Sequence, residues 1–149
     1  MKKILIFCLL ICLSANSQTK STLYLDYYVI LSPSLFQYVN DNIIKNLSND
    51  DICTISASET KKGTYVCISA SEEKQLNKEE IIGYLLVSNH IFLIYNKRNI
   101  PGLFHTKNPI LKYEYMQTEE LPSIDDSVKE WWFLFENNKY HLIDEIINW

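Results

Sequence analysis

The sequence predicts an α+β domain: a mostly antiparallel sheet built from hairpins, with one or two amphipathic helices packed on one face. Short segments rich in β-branched and aromatic residues recur along the chain, which is typical of strands. Several of these segments are separated by only two or three turn-forming residues, which is typical of hairpins. One segment instead has apolar residues at helical spacing and supplies a helix.

The first predicted strand is the alternating stretch TLYLDYYVILS at residues 22–32. Every second residue from Leu23 to Leu31 is apolar or aromatic, so one buried face is expected.

The predicted helix follows directly and runs from Pro33 to Leu47. Ser32 is a good N-cap, and proline suits the first helical position. Phe36, Val39 and Ile43 fall at helical spacing and are expected to form its apolar face.

The pentapeptide ISASE occurs twice, beginning at Ile55 and at Ile68, on either side of the turn sequence TKKG. Because glycine tolerates positive φ, a two-residue turn at Lys62–Gly63 is predicted to join strands 52–59 and 64–70. Two similar strands of one hairpin explain the repetition better than a repeated module does.

Residues 83–95, GYLLVSNHIFLIY, are compatible with a helix or with a hairpin. β-forming residues dominate and an asparagine lies at the centre, so we favour a hairpin turning at Ser88–Asn89. Asn77 and Glu80 resemble a capping box, which favours a short polar helix near residues 71–82.

Residues 98–127 are predicted to contain a loop, a strand and a second loop. Proline and glycine punctuate residues 98–109 and predict a loop, whereas residues 110–116, ILKYEYM, predict a strand. Residues 117–127 form an acidic stretch that is expected to be a loop.

The C-terminal residues 128–147 predict a hairpin that turns at Asn137–Asn138, since asparagine tolerates the left-handed region. This register places Trp132 opposite Ile143.

The N-terminal residues 1–17 have the composition of a secretory signal peptide. Two lysines precede an apolar run from Ile4 to Leu13, and small or polar residues follow. A run of this length is too short for a bilayer, which needs about 20 residues. We therefore expect cleavage before Gln18 and a periplasmic or extracellular protein.

Residues 18–149 are expected to be a single domain without a transmembrane segment. Ile11 precedes Cys12, and because a lipid anchor prefers a small residue there, a lipid-anchored form is not expected. The mature chain has 12 basic against 18 acidic residues, a formal charge of −6. This charge opposes binding to nucleic acid and indicates a basic protein as partner.

Cys53 and Cys67 are candidates for a disulfide, because export would place both in oxidising surroundings. A turn at Lys62–Gly63 opposes this bond, since it places Cys53 on the apolar face and Cys67 on the polar face. A wider loop from Ser58 to Lys62 would bring the two cysteines opposite each other. Both alternatives are left open by the sequence.

No catalytic, metal or cofactor site is expected. His90, His105 and His141 are far apart in sequence, and no Cys–x–x–Cys or His–Glu–x–x–His pattern occurs. His141 is expected to be an ordinary sheet residue opposite Leu134. The acid pairs are expected to lie in loops and helix caps; they occur at 50–51, 72–73, 79–80, 119–120 and 125–126.

These features together predict a non-enzymatic, exported protein-binding domain, such as a periplasmic immunity or inhibitor protein that neutralises a toxin or hydrolase. Tyrosine and tryptophan are abundant, and they are frequent among the residues that dominate binding energy at protein interfaces. Two alternatives are an envelope-associated module that binds a small ligand or glycan, and a small hydrolase with an unrecognised site.

Overall fold

The computed structural model describes residues 19–30, 32–71, 76–95, 100–117 and 128–147. The expected signal peptide and most of the predicted acidic loop lie outside these residues. Within the described ranges, no helix is long and apolar enough to cross a membrane.

Eight strands of the described chain form one sheet, in the order β6-β1-β4-β5-β2-β3-β7-β8. The strands are β1 (Thr19–Ile30), β2 (Ile52–Thr60), β3 (Gly63–Ser71), β4 (Ile81–Val87), β5 (His90–Tyr95), β6 (Leu103–Gln117), β7 (Lys129–Glu136) and β8 (Lys139–Ile147).

The predicted fold class is wrong. The described chain is mostly β-strand, its helical segment is a single run of 14 residues, and its sheet is mixed rather than antiparallel. Two pairings are parallel: β1 with β4, and β2 with β5. The hairpin β4–β5 is inserted between β1 and β2, so these two strands are not neighbours.

The glycine of β4 permits the first parallel pairing. A Cβ atom on Gly83 would lie 2.4 Å from the Tyr28 ring and 2.5 Å from the carbonyl oxygen of Asp26. The missing side chain at Gly83 therefore allows β1 and β4 to approach closely, with the Tyr28 ring packed over the glycine.

The helix begins where the sequence predicts. It comprises α1 (Pro33–Tyr38), a π turn (Val39–Ile43) and a 3-10 turn (Ile44–Asn46). The Ser32 hydroxyl accepts a hydrogen bond from the Leu35 amide at 3.5 Å. Leu35 is buried instead of the predicted Phe36, which is 43% exposed, because the wider π turn favours a spacing of four residues.

β2 and β3 form the predicted hairpin, but the turn is Lys61–Lys62, one residue earlier than Lys62–Gly63. The Thr60 hydroxyl stabilises this turn by accepting from the amide of the second lysine and donating to the glycine carbonyl, each at 3.1 Å. Ile55 pairs with Ile68, two positions from the predicted partner. Because this shift is even, the predicted apolar face is retained.

The other two hairpins turn where predicted. Ser88 and Asn89 have φ values of 47° and 71°, which decides residues 83–95 in favour of a hairpin. Asn137 and Asn138 have φ values of 51° and 61° and join β7 to β8.

Two local predictions differ from the structure. Strand β6 begins at Leu103, directly after the Pro101–Gly102 turn, so most of the predicted loop at 98–109 is strand. The polar helix predicted near 71–82 is reduced, in the described residues, to a 3-10 turn at Lys78–Glu80.

The helix covers one face of the sheet, here called the helix-covered face, and its core includes Trp131 and Phe133 of β7. A smaller cluster lies on the opposite face and includes Tyr84 of β4 and Leu93 of β5. The two buried aromatic residues of β7 fix that strand in the core, and β7 in turn positions β8.

Candidate functional site

The candidate site is the outer edge of β8. Among the strands that the structure describes, β8 is the last in the sheet and pairs with β7 alone. An edge strand presents backbone N–H and C=O groups in a row, which makes it a template for another strand.

Three aliphatic side chains of β8 are exposed: Leu142 by 41%, Ile143 by 49% and Ile146 by 40%. They lie within five consecutive residues of one strand but not on one face: Leu142 pairs with Phe133 on the helix-covered face, whereas Ile146 pairs with Glu130, which shares the opposite face with Trp132. An edge strand with exposed apolar side chains on both faces is a candidate interaction surface.

A bulge explains why Ile143 is exposed. Phe133 pairs with Leu142, and the next residue of β7, Trp132, pairs with Asp144. Ile143 is therefore an extra residue without an opposite partner in β7, and the predicted pairing of Trp132 with Ile143 is wrong. A bulge re-aims side chains and bends the strand locally.

Hydrogen bonds and ring contacts hold β8 against the sheet. Trp131 is fully buried, and its indole N–H donates to the Glu145 carboxylate at 3.0 Å. The rings of Phe135 and Tyr140 lie 4.9 Å apart, and the Tyr140 hydroxyl donates to the carbonyl of Pro101. Burial raises the pKa of Tyr140 above its ordinary value, so this donor is retained at neutral pH.

A buried ion pair anchors the first residue of β7. The Lys129 ammonium lies 2.9 Å from Oδ2 of Asp51, and the two side chains are only 12% and 1% exposed. The same oxygen accepts a hydrogen bond from the Ser48 amide at 2.8 Å. This pair connects β7 to the segment that precedes β2.

The β7–β8 hairpin is acidic as well as apolar. Its two strands have four acidic residues against two lysines, a formal charge of −2; these are Glu130, Glu136, Asp144, Glu145, Lys129 and Lys139. Since Lys129 is buried beside Asp51, the solvent-facing charge of the hairpin is predominantly negative. An acidic, apolar edge is complementary to a basic, apolar strand.

The two candidate disulfide residues are buried on opposite faces of the sheet. Cys53 lies opposite Ala70 in the helix-covered core, whereas Cys67 lies opposite Ser56 and Trp132. The two sulfurs are not bonded to each other. Side chains that point to opposite faces cannot be bridged without movement of the backbone.

The three histidines are placed apart, on β5, β6 and β8, and none of these strands is a neighbour of another. His105 lies 3.4 Å from the Asp26 carboxylate, and His90 lies 3.3 Å from the Ser88 carbonyl. His141 pairs with Leu134, as predicted.

The acidic pairs have separate surroundings. Asp51 belongs to the buried ion pair, and Glu79 and Glu80 belong to the 3-10 turn. The pairs at 72–73, 119–120 and 125–126 lie outside the described residues. In the part of the chain that is described, no three His, Cys, Asp or Glu side chains are grouped as metal ligands.

A group of tyrosines lies at the other end of the sheet, with Tyr115 buried and Tyr113 half-buried. The rings of Tyr113 and Tyr115 stack at 6.2 Å, and the Lys78 ammonium lies 5.7 Å from the Tyr115 ring centroid. Burial raises the pKa of nearby Tyr95 to about 12, so its hydroxyl stays protonated at neutral pH.

Sequence reasoning did not identify the β8 edge, although one signal was present. Leu142 and Ile143 are consecutive, and Ile146 and Ile147 are consecutive, so β8 has more apolar residues than one buried face requires. The buried Lys129–Asp51 pair had no comparable signal, because 78 positions of sequence separate its members.

No protein-family model matches this chain, and no curated protein or solved structure matches it.

Proposed function

We propose that this chain is an exported, non-enzymatic binding protein whose β8 edge engages a basic partner protein. The observation that carries the proposal is the exposed group of Leu142, Ile143 and Ile146 on an edge strand. Solvent exposure of such a group is unfavourable, since burial of apolar surface yields about 25 cal/mol per Å². A partner that covers the edge recovers this free energy.

Charge supports a basic partner. The hairpin has a formal charge of −2, and residues 18–149 have a formal charge of −6. Opposite charges accelerate association and disfavour acidic competitors. A small acidic protein that covers a basic partner corresponds to an immunity or inhibitor protein. The signal-like composition of residues 1–17 supports a periplasmic or extracellular setting for that activity.

Rigidity of the β7–β8 hairpin supports binding at this edge. Trp131 and the Lys129–Asp51 pair hold the β7–β8 hairpin in place before any partner arrives. A pre-organised edge loses little conformational entropy when a partner binds.

A ligand- or glycan-binding module is the second candidate, and the pair of tyrosines on β6 favours it. Tyr113 and Tyr115 stack, and the Lys78 ammonium lies over the ring of Tyr115, which is itself only 8% exposed. Such a site would bind a small polar ligand independently of β8.

A pair of matched substitutions tests the proposal. Ile143→Lys places a charge on the β8 edge, and Ile110→Lys makes the same change on β6, where Ile110 is 65% exposed. Tagged mature protein is incubated with an envelope extract at low and high salt, and the bound proteins are quantified by mass spectrometry. We expect one stoichiometric basic partner that Ile110→Lys retains and Ile143→Lys reduces at least tenfold, with weaker capture at high salt.

Equal capture by the two variants would contradict the β8 site. Absence of any stoichiometric partner, or retention of a small molecule that a Tyr113→Ala variant loses, would contradict protein binding.

A further inference from the structure

The backbone amides of β8 alternate in direction, and two of those before the bulge point away from β7. Glu136 and Lys139 flank a two-residue turn, so the amide of Lys139 donates back towards β7. In an antiparallel ladder the direction alternates along the strand. The amides of Tyr140 and Leu142 therefore face the outer edge.

The side chains along this edge have a defined arrangement. Leu142 pairs with Phe133 and lies on the helix-covered face, whereas Asp144 pairs with Trp132 and lies on the opposite face. Beside residues 142–144, an added strand would thus meet an aliphatic side chain on the helix-covered face and a carboxylate on the opposite face, with Ile143 projecting at the bulge. Alternation of apolar and basic residues fits this arrangement.

Charge decides between a basic partner and a second copy of this chain. Two copies paired along β8 would bring together two hairpins that each have a formal charge of −2. Like charges across an interface disfavour pairing, whereas lysine or arginine opposite Asp144 stabilises it.

We infer that the partner binds β8 by strand addition, as an extended segment of apolar residues alternating with lysine or arginine. This inference rests on the proposed function and specifies how the same edge is used. Backbone hydrogen bonds to Tyr140 and Leu142 supply affinity, and side chains beside Leu142 and Asp144 supply selectivity.

Two substitutions of one residue separate backbone recognition from side-chain recognition. Leu142→Pro removes the outward N–H, and an edge strand tolerates proline where its N–H faces solvent. Leu142→Thr keeps the N–H and is the matched control, because it also removes the leucine side chain and favours a strand. Thermal unfolding of both variants checks that the fold is retained.

The probe is a blocked hexapeptide of alternating lysine and valine, with its glutamate–valine counterpart as control. Titration of the ¹⁵N-labelled mature chain by NMR gives dissociation constants. We expect the lysine peptide to bind at least tenfold more tightly than the glutamate peptide and to shift the amides of Tyr140 and Leu142. Leu142→Pro is expected to bind the lysine peptide at least tenfold more weakly than Leu142→Thr. If Leu142→Pro does not fold, slower hydrogen exchange at the amides of Tyr140 and Leu142 in the peptide-bound, unaltered protein replaces this comparison, and unchanged exchange at both amides overturns strand addition.

The alternative outcomes are distinct. If Ile143→Lys abolishes partner capture but Leu142→Pro and Leu142→Thr bind equally, the partner docks through side chains and strand addition is overturned. If Ile143→Lys has no effect on capture, the β8 site of the proposed function fails as well. A dimer of the mature chain in sedimentation that Leu142→Pro abolishes would assign the edge to a second copy and overturn the basic partner.

Discussion

The two edges of the sheet differ in how they present their backbones. On β6, Leu111 pairs with Leu25 of β1, but the next pair is Thr106 with Tyr27, so residues 107–110 face Asp26 alone. This irregularity interrupts the β6 ladder, and the interval contains Pro109, which has no N–H to donate. On β8 the ladder is interrupted by one residue, Ile143, and no proline occurs.

The two edges also differ in charge. On β6, Glu114 forms ion pairs with Lys112 of the same strand and with Lys20 of β1. Charged side chains, prolines and bulges are the devices by which natural sheets prevent edge-to-edge pairing. β8 has its own bulge at Ile143 but no proline, and exposed apolar side chains occur on both edges: Phe104 and Ile110 on β6, and Leu142, Ile143 and Ile146 on β8. The difference is therefore one of backbone continuity: the proposed function predicts that β8, with a single-residue bulge and no proline, accepts a partner strand more readily than β6 does.

The largest expected effect comes from removing the anchor behind the β8 edge. Lys129→Met leaves the Asp51 carboxylate buried without its cation, and breaking a buried pair in this way costs about 3–5 kcal/mol of unfolding free energy. The matched control is Lys139→Met, which removes an exposed lysine opposite Glu136 and should cost less than about 1 kcal/mol. Urea unfolding followed by tryptophan fluorescence measures both. Similar losses in the two variants would show that the buried pair does not anchor β7.

A smaller effect is expected at the β6 edge on acidification. Hydrogen bonds from Lys112 and Lys20, together with their charges, lower the pKa of Glu114 to about 2. Because the pKa is lower in the folded protein than in the unfolded chain, the stabilisation is present at neutral pH. It is lost as the pH falls from the ordinary glutamate pKa, about 4.3, through about 2.

Carboxyl ¹³C NMR titration measures this pKa directly. Lys112→Met should raise the pKa of Glu114 towards its ordinary value while Lys20 remains. If the pKa of Glu114 does not change in Lys112→Met, the ion pair between Glu114 and Lys112 does not contribute to the properties of the β6 edge.

The hairpin turns could be predicted from sequence because their chemistry is local. Asn137–Asn138 and Ser88–Asn89 are residues that adopt positive φ, and both turns lie where predicted. The Lys61–Lys62 turn was displaced by one residue, because the Thr60 side chain stabilises it and glycine alone does not determine the position.

The order of the strands could not be predicted in the same way. Insertion of β4–β5 between β1 and β2 depends on packing between distant parts of the chain, such as Tyr28 over Gly83. The continuous apolar runs of β4 and β5 were a usable signal, since strands buried on both faces lack alternation.

The candidate site was predictable only in part. The predicted register of β8 is correct from Lys139 to Leu142, because the two-residue turn determines which residues of β7 and β8 pair. The bulge at Ile143 did not follow from the local pattern, and it is the bulge that leaves an isoleucine without an opposite residue in β7.

Amide hydrogen–deuterium exchange with and without the lysine–valine hexapeptide tests the difference between the two edges most directly. Exchange is followed in residues 139–147 of β8 and in residues 103–117 of β6 within one sample. We predict slower exchange on binding in β8, led by Tyr140 and Leu142, and no change in β6. Protection of β6, or no protection of either strand, would contradict the conclusion that β8 is the open edge of this sheet.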